Sequence, residues 1–337
     1  MASTVLIITN DHDEHADAVV GELNKRDVPV FRFHPEDFPH ACSVSIEIQD
    51  GHINGELRNA DHRVAFDDVC AAWFRRSRNL YDGRISRTSE KLEDYVKSQS
   101  SATLVAVCAS LETLWVSHPF ALRRGEVKPL QLALASRAGL KTPQTLISND
   151  PARAATFVGA LGDAECAIKP LMAVGVTDEQ GYRLPLTTTL PRGHSLEGVA
   201  LASTMFQPYV DKAFELRCVV IGDRIFAAKM DSQASEDSRL DWRGGNPDHE
   251  VFTLPEWVEA AIHRLMDSFG LNFASLDMIV TPEGDYVFLE LNPNGQWLWL
   301  ELELGLPLVA TMADLLTTNH TGAGSLAADT KGVLSAS

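Results

Sequence analysis

The chain has 337 residues, 45% hydrophobic and 22% charged, which is ordinary for a globular protein and leaves room for two or three domains. Its 29 basic and 46 acidic residues give a net charge of −17, which excludes non-specific nucleic-acid binding, because that rests on Lys and Arg neutralising phosphates. The cysteines (Cys42, Cys70, Cys108, Cys166, Cys218) show no C-x-x-C, Val5–Ile8 is too short for a signal peptide and Glu112 interrupts the apolar run Leu104–Val116, so the chain reads as cytoplasmic, with reduced thiols and no membrane partner.

Val5–Ile8 is a short apolar run that predicts a buried strand, followed by a helix over Asp11–Arg26 and a strand over Val28–Phe33, a β-α-β opening. Val44–Ile48 and Ile53–Leu57 predict a hairpin around Gln49-Asp50-Gly51-His52. Cys70–Phe74 reads as another buried strand. It runs into Arg75, Arg76 and Arg78, either a solvated strand end or a contact for carboxylates, which guanidinium forks bind bidentately. Leu92–Trp115 reads as one long helix or two.

A loop over Pro119–Lys128 marks a domain boundary, after which the helix Leu130–Ala138 ends at Gly139. A strand follows Thr145, and Asp150-Pro151 caps and opens a helix to Leu161. Cys166–Pro170 is a strand carrying Lys169, and Met205–Val210 is a strand carrying Gln207. Glu215–Ile221 and Arg224–Met230 pair around Gly222-Asp223. Ser232–His249 reads as a polar loop. Thr253 and Glu256 form a capping box for the helix Trp257–Phe269, which Gly270 ends.

The stretch Phe273–Glu303 carries the most chemistry. Ala274–Val280 and Tyr286–Leu291 flank Pro282-Glu283-Gly284-Asp285, which predicts a hairpin with Thr281 opposite Tyr286 and Asp277 opposite Glu290. Strand alternation puts Tyr286, Phe288, Glu290 and Asn292 on one face. Asp277, Glu290 and Asn292 then offer two carboxylates and an amide, an oxygen-only set that suits Mg²⁺. A solvated polar face is the alternative, and the residues alone leave both readings open. No P-loop, no G-x-G-x-x-G after a strand, no H-E-x-x-H and no nucleophile motif occurs. Lys128, Lys169, Arg217 and Lys229 are the cations placed in or beside apolar elements, where a phosphate would account for them, although a single such lysine is more often a snorkelling surface residue than a ligand.

The blocks Lys128-Pro129-Leu130-Gln131-Leu132, Ile168-Lys169-Pro170, Phe206–Lys212, Glu215-Leu216-Arg217, Asp231-Ser232-Gln233, Asp241-Trp242-Arg243 and Leu289–Trp297 resemble the ATP-grasp ligases. More narrowly, E-x-N-P-N-G-Q-W and Trp73-Phe74-Arg75-Arg76 resemble the graspetide (microviridin-type) ribosomal-peptide maturases. The resemblance implies an α/β and α+β ATP-grasp fold: an N-terminal pre-ATP-grasp domain (1–118), a central lobe (119–206), a C-terminal lobe with the metal site (207–320) and a disordered tail (321–337). It also implies roles. Lys128 and Lys169 contact ATP phosphates, Gln207, Tyr209 and Val210 hold adenine, and Asp211 or Lys212 lies near the ribose. Arg217, Lys229 and Glu215 form the catalytic group, and Asp277, Glu290 and Asn292 hold Mg²⁺. Arg75, Arg76, Arg78, Arg243, Asn294, Gln296 and Trp297 are the candidate peptide contacts.

The implied reaction activates Asp or Glu side chains of a precursor peptide as acyl phosphates, which Ser, Thr or Lys side chains then attack to close ester or amide rings. The expected partner is a leader joined to an acidic, Thr/Ser-containing core, and a homodimer is a family expectation. The sequence departs from the pattern in the loop Leu171–Gly181, which lacks a glycine-rich lid, near His118-Pro119, where a polar residue is usual, and at Leu304, where the branch often has Thr. Rival readings are an ATP-grasp ligase that adds glutamate to protein tails or makes dipeptides, and a non-catalytic ATP- or peptide-binding module.

Overall fold

The computed structural model describes residues 3–75, 90–172, 175–178, 181–183, 187–234, 240, 245 and 247–318. Arg76, Arg78, Asp241-Trp242-Arg243 and the expected tail 321–337 lie outside the described residues. The chain forms two compact units, Met1–Leu122 with Trp297–Glu301 and Pro307–Ser337, and Arg123–Gln296 with Leu302–Leu306. Trp297–Glu301 and the stretch from Pro307 belong to the first unit. No helix of the described residues is long and apolar enough to cross a membrane.

The first unit is built on β1 (Thr4–Ile8), whose last four residues are buried as expected of a strand covered on both faces. α1 (Glu14–Lys25) is capped by Asp13, which accepts the N–H groups of His15 and Ala16, and leads to β2 (Val30–Phe33). β3 (Ser43–Gln49), β4 (His52–Arg58) and β5 (Arg63–Ala65) form a separate antiparallel sheet, in which Asp50 and Gly51 take positive φ at the turn between β3 and β4. β6 (Val69–Phe74) lies beside β1, and α2 (Glu90–Ser110) leads to β7 (Leu114–Val116), completing a parallel sheet of order β2-β1-β6-β7.

β7 corrects the reading of Leu92–Trp115 as purely helical. Leu114, Trp115 and Val116 are good strand formers, and the Thr113 hydroxyl donates to the Val69 carbonyl at 3.1 Å, which starts the pairing. The helix Leu308–Thr317, expected in the last lobe, buries Leu308, Met312, Ala313 and Leu316 and packs on α1 and β6.

The second unit begins within α3 (Pro119–Gly125) and continues with α4 (Lys128–Arg137), whose end is closed by Gly139 at φ 98° and by Arg264 donating to the Ala138 carbonyl. β8 (Leu146–Ser148), α5 (Pro151–Ala160), β9 (Cys166–Lys169), the small pair β10 (Val176–Asp178) and β11 (Gly181–Arg183), β12 (Thr188–Leu190) and β13 (Thr204–Pro208) follow. The sheet order is β12-β9-β13-β8. α5 covers one face of it, where Ala154, Cys166, Val199 and Phe206 pack with Leu146 and Ile168. The opposite face carries Ala167, Lys169, Met205 and Gln207, which alternate with those residues along β9 and β13.

A five-stranded antiparallel sheet completes the unit, with β14 (Phe214–Ile221), β15 (Arg224–Met230), β16 (His249–Phe252), α6 (Glu256–Phe269), β17 (Phe273–Val280) and β18 (Tyr286–Asn292) in the strand order β16-β15-β14-β17-β18. α6 buries Val258, Ala261, Ile262, Leu265, Met266 and Phe269, and Trp257 meets Tyr286 edge-on at 5.7 Å. Gly270 ends it in the left-handed conformation. The expected capping box is absent: Pro255 holds the N-cap position, and no side chain caps the helix. β16 begins at His249, the last residue of the stretch read as loop, and its alternation is too short to stand out in the sequence.

Candidate active site

Asp277 lies opposite Glu290 as the hairpin predicts, but by a different route. Val280, not Thr281, opposes Tyr286, and the register shifts by one residue between Met278, opposite Phe288, and Asp277, opposite Glu290. Leu289 is the extra residue of a β-bulge. The bulge also corrects the predicted face: Tyr286 and Phe288 lie with Val280 and Met278 on one side, while Glu290 and Asn292 lie with Asp277 and Ser275 on the other. Arg217, opposite Asp277 on β14, and Glu215, opposite Ile279, share that second side.

On this face the polar groups converge. The Asn292 amide donates to Asp277 Oδ2 at 3.3 Å and to Glu290 Oε1 at 3.2 Å, so both carboxylates point to one place. Arg217 Nη1 donates to Asp277 Oδ1 at 2.8 Å, and Lys128 Nζ lies 3.1 Å from Glu290 Oε2 and 3.3 Å from the Pro170 carbonyl. Buried polar atoms without a hydrogen-bond partner, Arg217 Nε and Ser275 Oγ, sit in the same group. Such orphans are costly unless a water or ligand atom completes them. Carboxylate oxygens and a rotatable amide suit a hard cation, and Arg217 and Lys128 suit phosphate oxygens.

The chain after β18 turns over this face. A Cβ on Gly295 would lie 2.5 Å from Ser275 Cβ, 2.6 Å from its Oγ and 2.9 Å from Arg217 Nη2, so only glycine allows the approach. The turn is tied down by Arg217 Nη2, which donates to the Gln296 carbonyl at 2.9 Å. Asn294 is half-buried beside it.

Other expected residues lie on β9, on β13 and on the segment that leads into β14. Lys169 and Gln207 share the face of the central sheet opposite α5, and Gln207 donates to the Thr145 hydroxyl at 2.9 Å. The Tyr209 N–H donates to the Glu165 carbonyl, Val210 is half-buried and Asp211 is exposed. Lys212 and Glu215 form a buried ion pair at 2.7 Å, and Lys212 also donates to the Leu240 carbonyl.

Three expected residues do not join the group. Lys229 pairs with Leu216, on the opposite face of the sheet from Arg217, where its ammonium meets Glu250 at 2.7 Å over the Phe214 ring. Strand alternation alone forbids the two cations to act together, which corrects their joint assignment. Arg75 is fully buried against Asp13, and Trp297 is fully buried, so neither presents a surface to a peptide.

Sequence reasoning missed Gln131 and Ser275. Gln131 Oε1 accepts the Leu291 N–H at 3.0 Å and its amide donates to the Leu291 and Gly125 carbonyls at 2.8 and 2.6 Å, so it closes the outer edge of β18 beside Glu290. A glutamine amid the apolar residues Leu130, Leu132 and Leu134 was the available signal, as was Ser275 two residues before Asp277 in a buried strand. Cys218 lies beneath the cluster. Burial, reinforced by Asp277 and opposed by Arg217, pushes its thiol up to about 12.

Family models match the chain in two blocks, the MvdD pre-ATP-grasp domain over residues 4–123 and the RimK-like ATP-grasp domain over residues 125–316. A Chryseobacterium gregarium RiPP-associated ATP-grasp ligase, solved with ADP and a leader and core peptide, is 27% identical, with a TM-score of 0.86 over 93% of this chain and 96% of that one. The macrocyclase MdnC of Microcystis aeruginosa MRC, solved with its precursor peptide MdnA, is also 27% identical, with a TM-score of 0.80 over 93% and 98%. A probable alpha-L-glutamate ligase of Shewanella frigidimarina is 27% identical over 226 residues, 64% of this chain and 72% of that protein.

Proposed function

Because the chain belongs to the RimK-like ATP-grasp family, in the branch that carries an MvdD-type pre-ATP-grasp domain, we propose that it is an ATP-dependent ligase that closes rings in a ribosomal precursor peptide. The convergence of Asp277, Glu290, Asn292, Arg217 and Lys128 carries the ligase half of this reading. The peptide half is supported by likeness along nearly the whole chain to two ligases solved with peptides, whereas the glutamate ligase matches only 64% of it.

The reaction begins with a side-chain carboxylate of the core attacking the γ-phosphorus of ATP, which gives an acyl phosphate and ADP. A Ser or Thr hydroxyl or a Lys amine then attacks the acyl carbon. Its proton leaves, the C–O bond to phosphate breaks, and an ester or amide remains. Such chemistry depends on positioning and charge neutralisation, so no protein nucleophile is needed.

Asp277, Glu290 and Asn292 would hold Mg²⁺, which when bound neutralises phosphate charge and orients the nucleotide. Lys128 and Lys169 would bind phosphate oxygens. Arg217 would stabilise charge on the transferred group, with Glu215 and Lys212 as the buried pair behind it. With the Tyr209 N–H committed to Glu165, the backbone contact to adenine would fall to Val210, with Gln207 at the pocket wall and Asp211 near the ribose. Asn294 and Gln296 would face the acceptor. Arg76, Arg78 and Arg243 remain the candidate contacts for an acidic core.

Incubation with ATP, Mg²⁺ and a cognate precursor tests the reading by mass spectrometry. Loss of one water mass per ring supports it; a mass gain from added glutamate supports the tail-modifying alternative; nucleotide binding with no product defeats both. Glu290→Gln should abolish turnover with an unchanged circular dichroism spectrum.

A further inference from the structure

Inside the first unit, buried polar contacts run from β6 to the residues that follow the Gly295 turn. Arg75 Nε lies 2.9 Å from Asp13 Oδ2, and both side chains are fully buried. Asp13 also accepts the Thr9 hydroxyl at 2.8 Å and caps α1. His15, one residue beyond Glu14, has its Nδ1 3.7 Å from Asp13 Oδ1. Its Nε2 accepts two backbone N–H bonds, from Trp297 at 3.0 Å and from Leu298 at 3.1 Å, and its ring stands edge-on to the Trp297 indole at 5.1 Å. A ring nitrogen that accepts N–H bonds carries no proton, so the imidazole is held as the tautomer with its hydrogen on Nδ1, facing Asp13. His15 thereby caps α7 (Leu298–Leu304), whose opening N–H groups have no partner within the helix.

The geometry points to His15 as a positioning residue for the ligase reaction. Gln296 and Trp297 are consecutive: the Trp297 N–H ends on His15, and the Gln296 carbonyl ends on Arg217 at 2.9 Å. Fixing one end of this peptide link limits the rotation of the other. His15 touches no reacting group; it acts through the turn on the guanidinium aimed at Asp277. The buried Arg75 finds its use here, orienting Asp13 and, through it, the imidazole. The catalytic half of this inference rests on the proposed ligase activity, and its structural half does not.

The test compares full-length His15→Ala and His15→Gln, because glutamine keeps an acceptor that can reach the two N–H groups. In His15→Ala, hydrogen exchange at Trp297 and Leu298 should speed up roughly tenfold or more, kcat should fall roughly tenfold to a hundredfold, and KM for ATP should change by less than about threefold. His15→Gln should recover most of the amide protection and most of kcat. Wild-type exchange rates in His15→Ala would overturn the inference, as would faster exchange with an unchanged kcat, or equal damage in both variants. Should His15→Ala fail to fold, His15→Gln decides alone: loss of protection or of kcat in that folded variant counts against the inference. A wild-type enzyme inert toward every precursor would defeat the ligase reading, while the exchange rates would still decide whether His15 holds the turn.

Discussion

Arg75 and Asp13 show what a residue code conceals. Arg75, Arg76 and Arg78 look alike in sequence, yet Arg75 is fully buried on a carboxylate 62 residues away, a pairing that no local pattern announces. Removing one partner of a buried pair leaves an uncompensated charge, so Arg75→Ala should cost about 3–5 kcal/mol in urea denaturation. Burial by itself would raise the Asp13 carboxyl, but the Arg75 charge and the hydrogen bonds from Thr9, Arg75 and Ala16 outweigh it and hold the group below its ordinary value. The native state therefore binds this proton more weakly than the unfolded chain. Its contribution to stability is full above the ordinary carboxyl value, near about pH 4, and drains as pH falls from there through the lowered native value. Asp13→Asn should flatten the acid limb of a stability–pH curve, and a limb as steep as wild type would refute the assignment. Burial likewise pushes the Cys108 and Cys218 thiols up to about 12, so neither should react with a thiol reagent at pH 8 until denaturant is added.

At the scale of elements, the hairpin β17–β18 was the most legible part of the chain, because turn residues and apolar runs fixed the partners. Its detail was not legible. The opposition of Asp277 and Glu290 arises from a tighter pairing at the loop plus a bulge at Leu289, two offsets that cancel in the pairing but not in the side-chain faces. The adjacent apolar residues Phe288 and Leu289 were the trace of that bulge. The glycine of N-P-N-G has a steric reason: Gly295→Ala would drive a methyl group into Ser275 and Arg217, and kcat should fall by about a hundredfold. Gln131→Leu tests the edge of the same sheet. It would leave the Leu291 N–H and carbonyl unpaired, and a loss of about 1–3 kcal/mol per group is expected in thermal or urea unfolding. A variant as stable as wild type would show that water replaces the amide.

At the scale of the molecule, composition and motif order yielded the class of fold, since it depends on short-range pattern. They did not yield the return of Trp297–Glu301 and of the helix Leu308–Thr317 to the first unit, which depends on which apolar surface is left uncovered on α1 and β6. That helix buries Leu308, Met312, Ala313 and Leu316 there, with Arg26 on Asp314 at 2.6 Å. Residues 1–122 expressed alone should therefore expose that apolar surface and show no cooperative melting; a sharp transition in the fragment would contradict the division.

The same threading sets a rule for recombination. A chimaera that borrows the N-terminal unit of a relative cannot be made with one crossover near residue 122. It must carry the matching segments at 297–301 and from 307 onward as well, or the grafted unit meets a foreign helix and a foreign partner for His15. Because Trp297 is joined directly to the turn over Arg217, one of those extra splice points falls a single peptide bond from the candidate active site.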